Sequence, residues 1–240
     1  MALLAVENLS KSFGAVKVAD DVNFSLEEGE TLGIIGPNGA GKTSLFNLLT
    51  GNLRPQHGRV FFREKDITGL SPQQRCHMGI GRTYQVPRPF AKMTVLENCL
   101  VAASFGLGQP ERRSYEPCAA ILKRTGLLKK ANVPAGSLTL LERKALELAR
   151  ALSSSPKLLL LDEIAGGLTE REAQELIGII KEIHAAGTTI IWIEHIVHAL
   201  VAAVNRLIVI NFGAKVMDGE PTTVINSAEV KRIYMGIEVE

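Results

Sequence analysis

The chain of 240 residues predicts an α/β fold built on a mostly parallel sheet. Two observations lead there. Short apolar segments at residues 31–35, 158–161, 188–193 and 207–210 are separated by helix-patterned stretches, and strands apolar on both faces belong in a parallel sheet covered by helices. The second observation is the run Gly36, Pro37, Asn38, Gly39, Ala40, Gly41, Lys42, Thr43, which has the pattern GxxxxGK[ST]. It stands between a buried strand and a helix, the context in which such a loop wraps phosphates.

The elements follow in order. Residues 4–6 and the alternating Val22, Phe24 and Leu26 read as strands ahead of the buried run 31–35. Residues 44–50 read as a helix with Leu45, Leu48 and Leu49 on one face and Gly51 as its stop. Ser71 and Gln74 form a capping box with Pro72 at the first helical position, Gly79 ends that short helix, and Thr94 with Glu97 repeats the box. Residues 87–151 read as mostly helical, interrupted by a loop at 104–117 that contains glycine and proline. This predicts a helical subdomain inserted between residues 1–86 and 152–240. A helix from about Glu170 carries Ala173, Leu176, Ile177, Ile180 and Ile183 at helical spacing and ends at Gly187. A further helix is expected near 197–203. Asp218 and Glu220 read as surface residues near a hairpin-like segment.

Composition excludes several classes. With 46% hydrophobic and 22% charged residues the chain can bury its own core, and a net charge of +2 is too mild to predict a nucleic-acid surface. The three cysteines, Cys76, Cys99 and Cys118, form no CxxC pair and suggest neither a disulfide framework nor a zinc site. A reducing cytoplasm fits. The first nine residues hold too short an apolar stretch for a signal-peptide core, and no apolar run approaches the roughly 20 residues that span a bilayer. Work at a membrane would therefore go through a partner.

Two segments carry chemistry. In the glycine loop, backbone N–H groups turn toward phosphate oxygens at a helix amino terminus, where the helix dipole also favours negative charge. Lys42 would reach the terminal phosphates, the Thr43 hydroxyl would ligate Mg2+, and Ser44 closes the phosphate-binding set. The second segment is the apolar run 158–161 followed by Asp162 and Glu163. Ligands of open parallel sheets lie beyond the carboxyl ends of strands, where these acids fall. Asp162 would hold Mg2+ through water, and Glu163 would act as general base on the attacking water. Paired acids can also simply end a strand; the glycine loop decides for the functional reading.

With these motifs in place, the chain resembles the nucleotide-binding subunit of an ABC transporter over nearly its whole length. The resemblance implies a P-loop NTPase of ABC type, with an antiparallel β subdomain beside the parallel core and ATP as ligand. It implies that Phe13 stacks on adenine and that Gln85 touches Mg2+ and the water while sensing the membrane partner. His195 corresponds to the switch histidine that contacts the γ-phosphate, although His195 beside Glu194 and ahead of His198 is also weak metal-site spacing.

The chain departs from the family at its signature. The usual Leu-Ser-Gly-Gly-Gln stands here as Leu138, Thr139, Leu140, Leu141, Glu142. Thr139 and Glu142 still form a capping box, so the helix start survives while both glycines are lost. In a sandwich dimer these four residues, Thr139 to Glu142, would act on the ATP held by the other subunit. Leu141 would add bulk there and Glu142 negative charge, so one of two unequal sites is expected to be completed poorly; equally, the leucines are merely packed and tolerated. After Glu163, Ile164 replaces a usual proline and Thr169 a common aspartate, with Thr169 and Glu172 forming another capping box.

The stretch 79–85, residues 94–98 and the ending Ile233, Tyr234, Met235, Gly236 resemble the subfamily that energises uptake of branched-chain amino acids and related small polar solutes such as amides or urea. That resemblance implies transmembrane permease subunits, a second ATPase subunit, identical or different, and a solute-binding protein as an indirect partner. It implies no nucleic acid, and a peripheral position on the cytoplasmic face of the inner membrane. Two rival readings are a soluble ABC ATPase acting on DNA or ribosomes and an ATP-responsive scaffold with little turnover.

Overall fold

Two long strands, β1 (Ala2–Phe13) and β2 (Val16–Glu27), open the chain as an antiparallel hairpin that turns at Gly14, where φ is +57°. The computed structural model describes residues 2–195 and 197–235. These divide into two units, one formed by the chain up to Pro72 and again from Thr189 onward, the other by Gln73–Thr188.

In the first unit the hairpin pairs Leu4 with Leu26, Val6 with Phe24 and Leu9 with Val22, so the alternation seen in sequence puts one apolar face inward. β3 (Thr31–Ile35) is buried at every position and runs into the glycine loop, after which α1 (Lys42–Thr50) buries Leu45, Phe46, Leu48 and Leu49. Gly51 ends α1 in the left-handed conformation at φ 80°. β4 (His57–Phe62) returns alongside β1 and is followed by the short β5 (Lys65–Asp66). The antiparallel sheet has the order β2-β1-β4-β5, which is the antiparallel β part implied by the resemblance.

The second unit holds α2 (Pro72–His77), β6 (Ile80–Arg82), α3 (Val95–Leu107), α4 (Glu111–Arg124), α5 (Leu140–Ser153), β7 (Leu158–Asp162) and α6 (Glu170–Ala185). β6 and β7 pair in parallel, Ile80 with Leu158 and Arg82 with Leu160. Three start signals read from the sequence are met here: Thr94, Thr139 and Thr169 each cap a helix, with Glu97, Glu142 and Glu172 completing the box. Val95, Cys99, Leu100, Cys118, Leu122 and Leu146 meet in one apolar cluster among α3, α4 and α5.

The loop expected at 104–117 is shorter than its composition suggested. α3 runs on to Leu107, α4 begins at Glu111, and Pro117 lies inside α4. Proline removes one helical N–H and normally breaks a helix; here Ser114, Cys118 and Leu122 bury one face of α4, and that packing outweighs the lost bond.

The chain re-enters the first unit with β8 (Thr189–Ile193), α7 (Val197–Val201), β9 (Arg206–Asn211), β10 (Ala214–Gly219), α8 (Pro221–Asn226) and α9 (Ala228–Met235). β3 lies between β8 and β9 and is parallel to both, with Ile34 opposite Ile193 on one side and Ile208 on the other. The strand that delivers the glycine loop is thus central and fixed from both edges. β9 and β10 form an antiparallel hairpin.

Asp218 is more than a surface residue. It accepts bonds from Arg206 Nε at 2.6 Å, Arg206 Nη2 at 2.8 Å and Lys215 Nζ at 2.9 Å. Burial works to raise its carboxyl, but the Arg206 and Lys215 bonds prevail and hold it below the usual carboxylate range. Glu220 is exposed, yet it caps α8 by accepting the Thr222 and Thr223 N–H groups, which brings its carboxyl down to about 2. No helix among the described residues is long and apolar enough to cross a membrane.

Candidate functional site

The phosphate loop is held by two close approaches of backbone to backbone. A methyl group placed on Gly36 would lie 2.1 Å from the Ile210 carbonyl oxygen, and one on Gly41 would lie 2.2 Å from that of Val18. Every side chain is excluded at both positions, and Gly41 also stands at φ 105°. Gly39, at φ 81°, has open space around it and needs only the left-handed backbone. Ala40 is buried and is tied on both sides, its N–H donating to the Pro37 carbonyl at 3.1 Å and its carbonyl accepting from Gly213 N–H at 2.9 Å.

Gly41 offers no side chain to cap α1, and the first turn of a helix is where backbone N–H groups and the helix dipole favour an anion. Lys42 is buried, and its ammonium is drawn over the loop by the carbonyls of Gly36 at 2.6 Å and Pro37 at 2.9 Å. Thr43 is exposed in the first turn, Ser44 is half-buried, and Asn38 lies at the exposed tip of the loop. The Gly36 N–H is engaged from α9 by the Tyr234 phenol, whose pKa partial burial raises to about 12. In the same unit, Phe13 sits at the end of β1, 53% exposed, with Lys11 Nζ 5.4 Å from the ring centroid. His195 follows β8, is exposed, and donates its N–H to Glu194 Oε2 at 3.2 Å. His198 falls where side chains lie outside the described residues.

The second unit builds the acids. β7 is buried throughout and carries Asp162 at its carboxyl end. Asp162 Oδ2 accepts from Arg82 Nη2 at 2.7 Å, and both side chains are almost wholly buried. Asp162 Oδ1 is also buried and has no hydrogen-bond partner among the described residues. A buried carboxylate oxygen without a donor costs free energy that a hard cation or its water shell would offset, and an oxygen donor set suits Mg2+.

Glu163, the next residue, takes φ +45°. It is buried, and its Oε2 accepts from Gln85 Nε2. The structure therefore brings Gln85 and Glu163 together, 78 residues apart in sequence. Two residues that the sequence reading passed over complete this unit. Arg82, at the end of β6, fixes Asp162. Lys144, on α5, donates from its buried ammonium to the Gln85 carbonyl at 2.8 Å and the Glu163 carbonyl at 3.2 Å. An arginine closing a short glycine-flanked strand was the one available signal for Arg82; nothing local distinguishes Lys144.

The buried Arg82–Asp162 pair makes a direct prediction. Arg82→Met leaves Asp162 charged and unpaired, so folding stability should fall by about 3–5 kcal/mol. Chemical denaturation of Arg82→Met beside Arg82→Met/Asp162→Asn measures it, and the double variant should recover much of the loss.

The signature residues lie at the start of α5. Thr139 accepts Glu142 N–H at 3.4 Å and donates its own N–H to Glu142 Oε2 at 3.0 Å. Leu140 is exposed and lies against Gly167; Leu141 is half-buried. Glu142 is also paired with Lys130, and that bond leads in holding its carboxyl below the usual range. The negative charge expected at the signature is thus already engaged by a cation from this chain.

Residues 19–166 match the family model described as ABC transporter. The chain is 38% identical to the high-affinity branched-chain amino acid transport ATP-binding protein LivG of Salmonella typhimurium, over 98% of each chain. It is 34% identical to the probable branched-chain amino acid transport ATP-binding protein LivG of Methanocaldococcus jannaschii, again over 98% of each. Among solved structures, a nucleotide-free ATP-binding cassette from an ABC transporter superposes with a TM-score of 0.90 at 33% identity, covering 99% of this chain and 100% of that one. An ADP-bound cassette gives the same TM-score, 0.90, at the same 33% identity.

Proposed function

Because the chain belongs to the ABC transporter family, we propose that it is the ATP-hydrolysing subunit of an importer for branched-chain amino acids or related small polar solutes, such as amides or urea. The observation that carries this reading is its full-length likeness to ATP-binding subunits of branched-chain amino acid transporters. Its intact phosphate loop and its Gln85, Asp162 and Glu163 support turnover.

In this reading residues 36–44 bind the phosphates, Lys42 neutralises the terminal ones, and Phe13 stacks on adenine. Thr43, Gln85 and Asp162 would hold Mg2+, which would supply positive charge to neutralise the phosphates. Asp162 is suited to this by its unpartnered oxygen. Glu163 takes a proton from the attacking water as general base, Gln85 orients both the carboxylate and the water, and His195 contacts the γ-phosphate. The partners are permease subunits in the inner membrane, met from the cytoplasmic face, and a second ATPase subunit. A solute-binding protein selects the cargo. Co-purification of this chain with a permease from solubilised membranes tests the assignment; recovery of the chain only with ribosomes or DNA would favour the soluble rival.

The signature Thr139, Leu140, Leu141, Glu142 acts on the partner's ATP in this reading. Since Glu142 is drawn to Lys130, the bulk of Leu141 is the larger obstacle to a phosphate. Leu141→Gly in the assembled complex should raise turnover by about 3-fold to 10-fold, the effect of about 1 kcal/mol of better contact. Unchanged turnover in a phosphate-release assay would mean that the leucine is tolerated.

A further inference from the structure

The geometry points to Lys144 as a positioning residue that sets the catalytic glutamate and the Gln85 loop in one arrangement from the signature helix. The inference rests on the assignment of Glu163 as general base. Its starting observation is backbone strain. Glu163 is a non-glycine residue at φ +45°, a conformation that persists only where the surroundings over-determine it. Its carbonyl is held twice, by Gly166 N–H at 3.2 Å and by Lys144 Nζ at 3.2 Å. The same ammonium holds the Gln85 carbonyl at 2.8 Å, and the Gln85 side chain in turn donates to the Glu163 carboxylate.

Lys144 thus grips the backbones of two residues whose side chains meet. A buried ammonium requires such acceptors, because a lysine is seldom buried unless its donors are satisfied. The requirement works in both directions, since the carbonyls must come to the lysine for it to be tolerated. Lys144 lies on α5, five residues beyond its cap Thr139, so the helix whose start forms the signature also carries the anchor of this chain's own general base. A shift of α5 along or about its axis would be transmitted to Glu163 and Gln85 through the Lys144 side chain. The proposed consequence is that engagement of the signature by a partner's nucleotide tunes turnover at this chain's own glutamate.

The test compares Lys144→Met, Lys144→Arg, Glu163→Gln and the double Lys144→Met/Glu163→Gln as full-length chains in the assembled complex, with kcat, KM for ATP and Tm measured for each. A positioning role predicts a kcat at least 10-fold lower for Lys144→Met, with KM changed less than 3-fold. It predicts partial rescue by Lys144→Arg, which keeps a charged donor. The double variant should be no slower than Glu163→Gln alone. If Lys144→Met folds poorly, the kcat of Lys144→Arg at unchanged Tm supplies the same comparison. A kcat that stays at the wild-type level in every folded Lys144 variant while Glu163→Gln is inactive overturns the inference and leaves the base assignment standing. Full turnover by Glu163→Gln overturns the base assignment itself.

Discussion

Lys42→Ala is expected to weaken ATP binding by ~100-fold or more, the combined effect of losing charge-assisted bonds worth about 1.5–3 kcal/mol each. Lys42 is held over the glycine loop by the carbonyls of Gly36 and Pro37. Those acceptors keep the ammonium at the place where phosphate oxygens meet the first N–H groups of α1. Alanine removes the charge and the donors together, while helix α1 keeps its cap geometry, because Gly41 contributes no side chain to it. The far-ultraviolet circular dichroism should therefore be unchanged. Titration of the variant with a fluorescent ATP analogue provides the measurement, and wild-type affinity would remove the loop from the site.

Glu163→Gln is expected to separate binding from turnover. Glutamine has nearly the size and shape of glutamate and can still accept from Gln85 Nε2 through its amide oxygen. It cannot take a proton from water. General-base catalysis contributes about 10²–10⁴-fold, so kcat should fall by about that factor while ATP affinity stays within a few-fold of wild type. Phosphate release and nucleotide binding measured on one preparation distinguish this from a binding defect. Loss of affinity equal to the loss of rate would assign Glu163 to the nucleotide pocket instead.

What was legible in the sequence was mainly what depends on near neighbours. The loop 36–43 is bounded by a buried strand and a helix within a few residues, so pattern and context arrive together. The capping boxes at Thr94, Thr139 and Thr169 are three-residue spacings, and all three form. The acids Asp162 and Glu163 follow directly on an apolar run. Long-range pairings were not legible. Arg82 meets Asp162 across 80 residues, and Lys144 reaches Gln85 across 59 and Glu163 across 19. No local periodicity encodes these partners. Pro117 misled because its local rule was overruled by the packing of Cys118 and Leu122. Glu142 misled differently: its charge was visible, but its pairing with Lys130 depends on how the chain ahead of α5 folds back.

The roles assigned to Lys42 and Glu163 matter only if hydrolysis is coupled to solute entry. Uptake of labelled leucine, isoleucine, valine and urea by cells expressing either wild type or Glu163→Gln in place of the native chain measures that coupling most directly. Wild-type cells are expected to accumulate at least one of these solutes, and Glu163→Gln cells, with the chain present at equal level, none. Equal accumulation of every solute by the two strains would contradict it.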